Sequence, residues 1–238
     1  MKSPIVQAVE GVTLVGGGPV PTRDLARARA RAPVVVAADG GANRLLPIRV
    51  QPQAVIGDLD SISDAARAAI PADRLHFLPD QATTDFDKAL RSIEAPFILA
   101  LGFAGARIDH GLAVMNTLVR HANRRCLVLG PRDLAFAAPP ELHLQLRPGD
   151  PLSLFPLAPV RGESDGLDWP IAGLAFAPDG FIGTSNRVST GPVRLAFDRP
   201  GMIVILPRNR LDAAITALRG PLPRPRPPGP GAPAAPGG

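Results

Sequence analysis

The 238-residue chain has no tyrosine, one tryptophan and one cysteine, and only two of its 26 lysine and arginine residues are lysines. A single cysteine, Cys126, excludes an intrachain disulfide, and its setting in an apolar strand reads as a buried small hydrophobe. Aromatics make up 4% of the chain and form no cluster of the RNA-binding kind, so the net charge of +5 does not indicate a nucleic-acid partner. Arg224 and Arg226 sit in a terminal tail, and acids are mixed with bases elsewhere. No apolar run approaches the ~18 residues that a membrane span requires. The opening "MKSPIVQAVEG" has neither the apolar stretch nor the cleavage site of a signal peptide, so no membrane association and a cytoplasmic location are expected. The scarcity of lysine makes Lys88, kept among acids, a candidate for a compact ammonium that arginine would not replace.

From the start to about residue 138, strand and helix patterns alternate. "GVTLVGGGP" reads as a strand into a glycine turn, with Thr22 as cap of the helix "RDLARARAR". "PVVVAADGG" and "QAVIGDLDS" repeat the scheme, followed by helical "ANRLL" and "ISDAARAAI". In "TTDFDKALRSI", Phe86, Ala89, Leu90 and Ile93 fall at helical spacing. "PFILALGFAG", the helix "DHGLAVMNTLVRHA" and "RCLVLG" close the series. Continuous apolar strands between amphipathic helices predict an α/β unit with a mostly parallel sheet and helices on both faces. After residue 138 the period changes to two, at Leu142, Leu144 and Leu146 and again at Val193, Leu195 and Phe197, predicting an antiparallel β-sandwich-like domain. The expected organisation is therefore 1–138, 139–220 and, with eight prolines from Pro221, a disordered or polyproline-like tail over 221–238.

The polar residues gather at strand ends, where open α/β sheets bind ligands. Gly16–Gly18 follow the first strand, Asp39–Gly41 the second, and Asp58 and Asp60 the third. Asp80 and Asp85 follow the fourth; Gly102, Gly105, Arg107 and Asp109 follow the fifth. Each has a plainer reading. The glycines can be a tight turn, and no Gly-Lys-Ser/Thr follows to make a phosphate-binding P-loop. Asp39 can cap "GGAN", Asp58 or Asp60 can cap the helix after Ser61 or Ser63, and Asp85 with Lys88, or Arg107 with Asp109, can be surface pairs. Asp87 lies off the Asp85–Lys88 face and reads as solvated, and His110 reads as structural. Taken together, acids at successive strand ends without soft ligands suit a hard cation such as Mg²⁺ bridging to a nucleotide's phosphates, with Lys88 and Arg107 available to neutralise phosphate oxygens.

The residues resemble the thiamine pyrophosphokinase family. The resemblance rests on "ADGGANRL" (38–45), "VIGDLDSI" (55–62), "PDQATTDFDKAL" (79–90), "LGFAGARIDHGLAVMNTL" (101–118), "GLDWPI" (166–171) and "GTSN" (183–186), in order and spacing over roughly residues 11 to 207. It implies transfer of a pyrophosphoryl group from ATP to thiamine's hydroxyl, an α/β catalytic domain, a β-sandwich-like domain, and a homodimer with thiamine sites across its interface. Carried over by motif, Asp39, Asp58, Asp60 and Asp85 are implied as metal- and phosphate-organising acids, and Gln81 and Lys88 as neighbours of the transferred group. Gly40, Asn43, Gly102, Arg107 and Asp109 are implied on the nucleotide side, and Trp169, Ser185 and Asn186 on the thiamine side. The chain departs from the pattern after "PDQ", where some members carry another acid, and at "GTSN", where a serine-rich version is common. Trp169 also has a plainer reading as a core aromatic. Two rival functions are a nucleotide-sugar transferase using Asp58-Leu59-Asp60 as an Asp-x-Asp metal motif, and a non-catalytic thiamine or nucleotide sensor.

Overall fold

A computed structural model describes residues 3–105 and 107–220, so the expectation for the proline-rich tail lies outside the described residues. Six strands run parallel: β1 (Val12–Val15), β2 (Val34–Ala38), β3 (Ala54–Gly57), β4 (Leu75–Phe77), β5 (Ile98–Leu101) and β6 (Cys126–Leu129). They are followed by β7 (Asp133–Ala137), β8 (Glu141–Leu144), β9 (Pro151–Pro156), β10 (Val160–Asp165), β11 (Gly183–Arg187), β12 (Val193–Phe197) and β13 (Met202–Pro207). The helices are α1 (Thr22–Arg29), α2 (Ala42–Leu45), α3 (Asp64–Ala69), α4 (Asp85–Ser92), α5 (Ile108–Arg120) and α6 (Leu211–Arg219).

Alternation along the central strands assigns each residue to one of two layers. In β5, Ile98 and Ala100 face a core built with Phe86, Ala89 and Leu90 of α4 and Val114 and Leu118 of α5. Leu99 and Leu101 face the opposite core, which takes in α6 and the strands of a second sheet. Both faces being covered explains why these strands read as unbroken apolar runs. The fold is thus α/β with an antiparallel sandwich-like part, as the alternation and its change of period indicate.

The two parts share a sheet. The large sheet has ten strands in the order β11-β9-β13-β7-β6-β5-β1-β2-β3-β4, and it changes from parallel to antiparallel where β7 hairpins back on β6. The smaller sheet, β8-β12-β10 with Ala175–Phe176, packs over it through Leu142, Leu144 and Leu195. The change of period near residue 138 therefore marks strands such as β8, β9 and β12 that bury alternate residues in the core between the two sheets and leave the others partly exposed.

Two local expectations are corrected. Thr22 does not cap α1: it is the first helical residue, Pro21 occupies the cap position, and no side-chain cap hydrogen bond forms. Proline's fixed φ sets the turn there instead. The cap of α3 is Ser63, whose hydroxyl accepts from Ala66 N, which leaves Asp58 and Asp60 without a capping role.

Candidate functional site

Asp39, Asp58 and Asp60 come together at the carboxyl ends of β2 and β3, with one oxygen from each inside a span of 4.8 Å. The backbone is bent to present them: Asp39 and Leu59 adopt left-handed φ values of 40° and 61°. Such conformations cost a non-glycine residue of the order of 1–3 kcal/mol and persist only where the surroundings enforce them. Gly57 must be a glycine, because a Cβ there would lie 2.7 Å from the Asp39 Cβ. Asn43 fixes the loop from α2, donating to Ser61 O at 2.8 Å and accepting from Ser63 N at 2.9 Å. Arg67 holds the Leu59 carbonyl at 2.6 Å.

Lys88 supplies the counter-charge. It is 1% exposed, and its Nζ donates to Asp85 Oδ1 at 3.0 Å and Asp58 Oδ2 at 3.1 Å. Burial works against its charge, but the hydrogen bonds it donates to Asp85 and Asp58, with their negative charges, outweigh it and leave the pKa above the ordinary lysine value. The same hydrogen bond, opposed by some burial, holds Asp58 below the usual carboxylate range. Asp39 shifts the other way: burial raises its pKa, and the nearby Asp85 and Asp60 charges add to this. One oxygen each of Asp39 and Asp58 is buried with no hydrogen-bond partner among the described residues. Buried, unpaired anionic oxygens are costly unless a cation meets them, and an all-carboxylate set suits a hard divalent ion.

Beside the acids lies a cleft of about 430 Å³, bounded by Gly17 and Gly18, Asp39 and Gly40, Asp85, Gly102 and Phe103, and Arg107 with His110. Arg44, which lies in the "ADGGANRL" run but is not singled out there, steadies one wall by donating to the Gly17 carbonyl at 2.7 and 3.0 Å. The other wall packs Phe86 against Phe103 in a tilted pair, with ring centroids 4.7 Å apart. Thr84 caps α4 by accepting from Asp87 N, so Asp85 stands in its first turn. Gln81 reaches Asp58 Oδ2 at 3.5 Å. Arg107 and Asp109 form an exposed pair at 2.5 Å, and of the two only Arg107 reaches the cleft.

Asp87 is not solvated, contrary to the reading from helical spacing. Its side chain is 3% exposed and accepts from Arg120 NH1 at 2.7 Å, with His121 Nε2 at 3.4 Å. The pair joins α4 to the far end of α5. The spacing placed Asp87 off the Lys88 face, but α5 covers that side of α4 as well.

The residues marked on the C-terminal side line a second cavity of about 520 Å³, with Trp169, Phe176, Phe181, Ile182, Ser185 and Asn186 around it. Trp169 is 57% exposed, so it is not a core aromatic. Its backbone is gripped by Asn186, which donates to Trp169 O at 2.7 Å and accepts from Trp169 N at 3.3 Å. Asn186 thus positions the ring more than it lines open space. Ser185 is turned outward by a left-handed φ of 63°. Phe176, Phe181 and Ile182 escaped the sequence reading, although "GFIG" places adjacent apolar residues in a turn, where burial is not expected.

A family profile described as "Thiamin pyrophosphokinase, catalytic domain" matches residues 25–129. Thiamine pyrophosphokinase 1 of Oryza sativa subsp. japonica is 30% identical over 213 residues, spanning 75% of this chain and 81% of that protein. Thiamin pyrophosphokinase 1 of Caenorhabditis elegans is 30% identical over 183 residues, spanning 67% of this chain and 73% of that protein. Among solved structures, thiamin pyrophosphokinase from Candida albicans superposes with a TM-score of 0.70 at 16% identity, covering 87% of this chain and 94% of that one. The thiamin pyrophosphokinase from Geobacillus thermodenitrificans superposes with a TM-score of 0.67 at 20% identity, covering 83% and 96%. At those identities the superpositions show the shared fold.

Proposed function

Because the chain belongs to the thiamine pyrophosphokinase family, we propose that its acid cluster organises Mg-ATP for attack by the hydroxyl of thiamine. The chain is an enzyme of that family's reaction, transfer of a pyrophosphoryl group to thiamine. The observation that carries the donor assignment is the pair of buried, unpartnered oxygens on Asp39 and Asp58 beside Asp60. Those three, with Asp85 next to them, would hold Mg²⁺, and the bound ion would neutralise charge on the phosphate oxygens. Lys88 bridges Asp58 and Asp85 through its two hydrogen bonds, so the carboxylates face the cleft already organised. Arg107, at the rim, meets phosphate oxygens by leaving its exposed partner Asp109, a solvent-screened pair that is easily given up.

The chemical step needs positioning more than covalent help. Thiamine's hydroxyl oxygen bonds to the β-phosphorus of ATP, the bond from that phosphorus to the oxygen bridging it to the α-phosphorus breaks, AMP leaves with that oxygen, and the hydroxyl proton is released. Gln81, Asp58 and Asp85 border the path of the transferred group. Trp169 offers an aromatic face to a planar cation, an arrangement favourable by about 0.5–2 kcal/mol.

The two cavities support a homodimer. The β11 strand, carrying Ser185 and Asn186, and the β3 strand, leading to Asp58, stand eight strand positions apart in one sheet. At ~4.8 Å per position that is about 38 Å along the sheet before twist, too far for one thiamine to touch both. A second copy bringing its Trp169 cavity to the first copy's acids would close the gap, twice, about a two-fold axis.

Incubating the protein with Mg-ATP and thiamine tests the reading. AMP and thiamine diphosphate should form in equal amounts. Thiamine binding with no AMP would identify a sensor, and turnover only with nucleotide sugars would identify the Asp-x-Asp transferase.

A further inference from the structure

A separate cleft of about 490 Å³ opens at the carboxyl end of β6, between α1 and the turn that precedes α6. Five arginines line it: Arg23, Arg27 and Arg31 from the α1 side, Arg132 from the β6–β7 hairpin, and Arg208. Two are spoken for. Arg208 donates to the buried Asp24 at 2.9 Å, and Arg31 grips Asp212 through two hydrogen bonds of 2.5 and 2.9 Å. Arg23, Arg27 and Arg132 form no ion pair among the described residues. The residues outside the description (1, 2, 106 and 221–238) contain no aspartate or glutamate to pair with them.

Three uncompensated guanidiniums facing one concavity repel each other and concentrate positive potential in it. Guanidinium N–H pairs match phosphate oxygens, which makes a compact phosphorylated anion the natural counter-charge. The Asp24–Arg208 and Arg31–Asp212 pairs tie α1 to the C-terminal turn and α6, so the cleft's walls are held before anything binds. The position also matters. Pro131, which lines this cleft, packs so close to Gly105 that a Cβ there would meet it at 3.3 Å. Gly105 belongs to the same loop as Gly102 and Phe103, which wall the nucleotide cleft on its other side. Among the described residues, none lines both clefts.

We infer that this arginine cleft is a second anion site, apart from the acid cluster, that takes a diphosphate group. The group arrives either as free pyrophosphate or on a small molecule that carries one, including the reaction's product. Bound there, it lies beside Pro131, the residue that packs against the loop walling the nucleotide cleft.

The test is calorimetric titration of inorganic pyrophosphate into the full-length protein in chelator, where the metal-free acid cluster repels anions. One site should be seen. Its affinity should fall at least about tenfold in Arg27→Gln/Arg132→Gln, since each lost charge-assisted hydrogen bond is worth that much, and stay unchanged in Asp58→Asn. Thermal melting checks that the double variant folds, and Arg23→Gln carries the test if it does not. A parallel titration with thiamine diphosphate identifies the source: binding that the arginine substitutions weaken assigns the product, and binding of pyrophosphate alone assigns the free anion. No heat at millimolar pyrophosphate, or equal affinity in the arginine variants and the wild type, overturns the inference.

Discussion

The ammonium of Lys88 lies 3.1 Å from a carboxylate oxygen of Asp58, a residue thirty positions earlier in the chain. This ion pair joins the first turns of α4 to the loop after β3. It also splits the acids into two kinds, those tied to a protein cation and those left for a bound one. Asp58 is both, since one oxygen meets Lys88 and the other meets nothing.

The split predicts opposite effects on stability without metal. Asp58→Asn removes a charged partner from a buried lysine and should lower stability by about 2 kcal/mol. Asp39→Asn removes a buried anion that no protein cation reaches, and should leave stability equal or higher in chelator. Both should lower kcat about 100-fold or more, the scale of losing ~3 kcal/mol of charge stabilisation. Thermal melts in chelator and initial rates at saturating Mg-ATP check this. Near-normal kcat in Asp58→Asn would remove it from the metal site.

Trp169→Ala should raise the KM for thiamine about tenfold, matching the loss of about 1.4 kcal/mol of stacking. The KM for ATP and the melting temperature should barely move, because the ring is more than half exposed. Comparable changes in both KM values, with a lower melting temperature, would return the ring to a packing role.

Asp87→Asn tests the strut between α4 and α5. It removes the anion from an Arg120 side chain that is half exposed and can return to water, so the cost should be about 1 kcal/mol, that of one hydrogen bond. Restoring geometry with Asp87→Glu should recover less than half of that, since the added methylene must fit where the present side chain is 3% exposed. Urea denaturation of the three proteins measures it. Equal stability of Asp87→Asn and the wild type would make the contact incidental.

The Asp150–Arg210 pair predicts an acid response. Arg210 donates to both Asp150 oxygens at 2.6 Å, and this hydrogen bonding holds the carboxyl below its ordinary range. A carboxyl depressed in the folded state contributes stability that is whole above the unfolded value, about 3.9, and is lost as pH falls through the lower folded value. Asp150→Asn should therefore melt well below the wild type at pH 7, with the gap closing below about pH 4. A gap independent of pH would show that the pair's contribution is not electrostatic.

The strand-and-helix order, the change of period near residue 138 and the acids at strand ends were legible in the sequence. Each depends on local rules: alternation, helical spacing, and the habit of parallel sheets to bind at their carboxyl ends. The family motifs marked the acids and the Trp169 segment for the same reason, since each is a short contiguous run. What the chain order could not carry is which distant groups meet. Lys88 read as a surface partner of Asp85 until the fold set Asp58 against it. Asp87 read as solvated until α5 covered it. Trp169 read as a contact by its motif but kept a core reading beside it, because burial belongs to the packed molecule and not to the segment. The eight-strand separation between Ser185 and Asp58 likewise exists only once β7 turns back on β6 and carries the antiparallel strands onto the same sheet. Local propensity fixes the elements, and long-range packing fixes the distances and burial on which charge and binding depend.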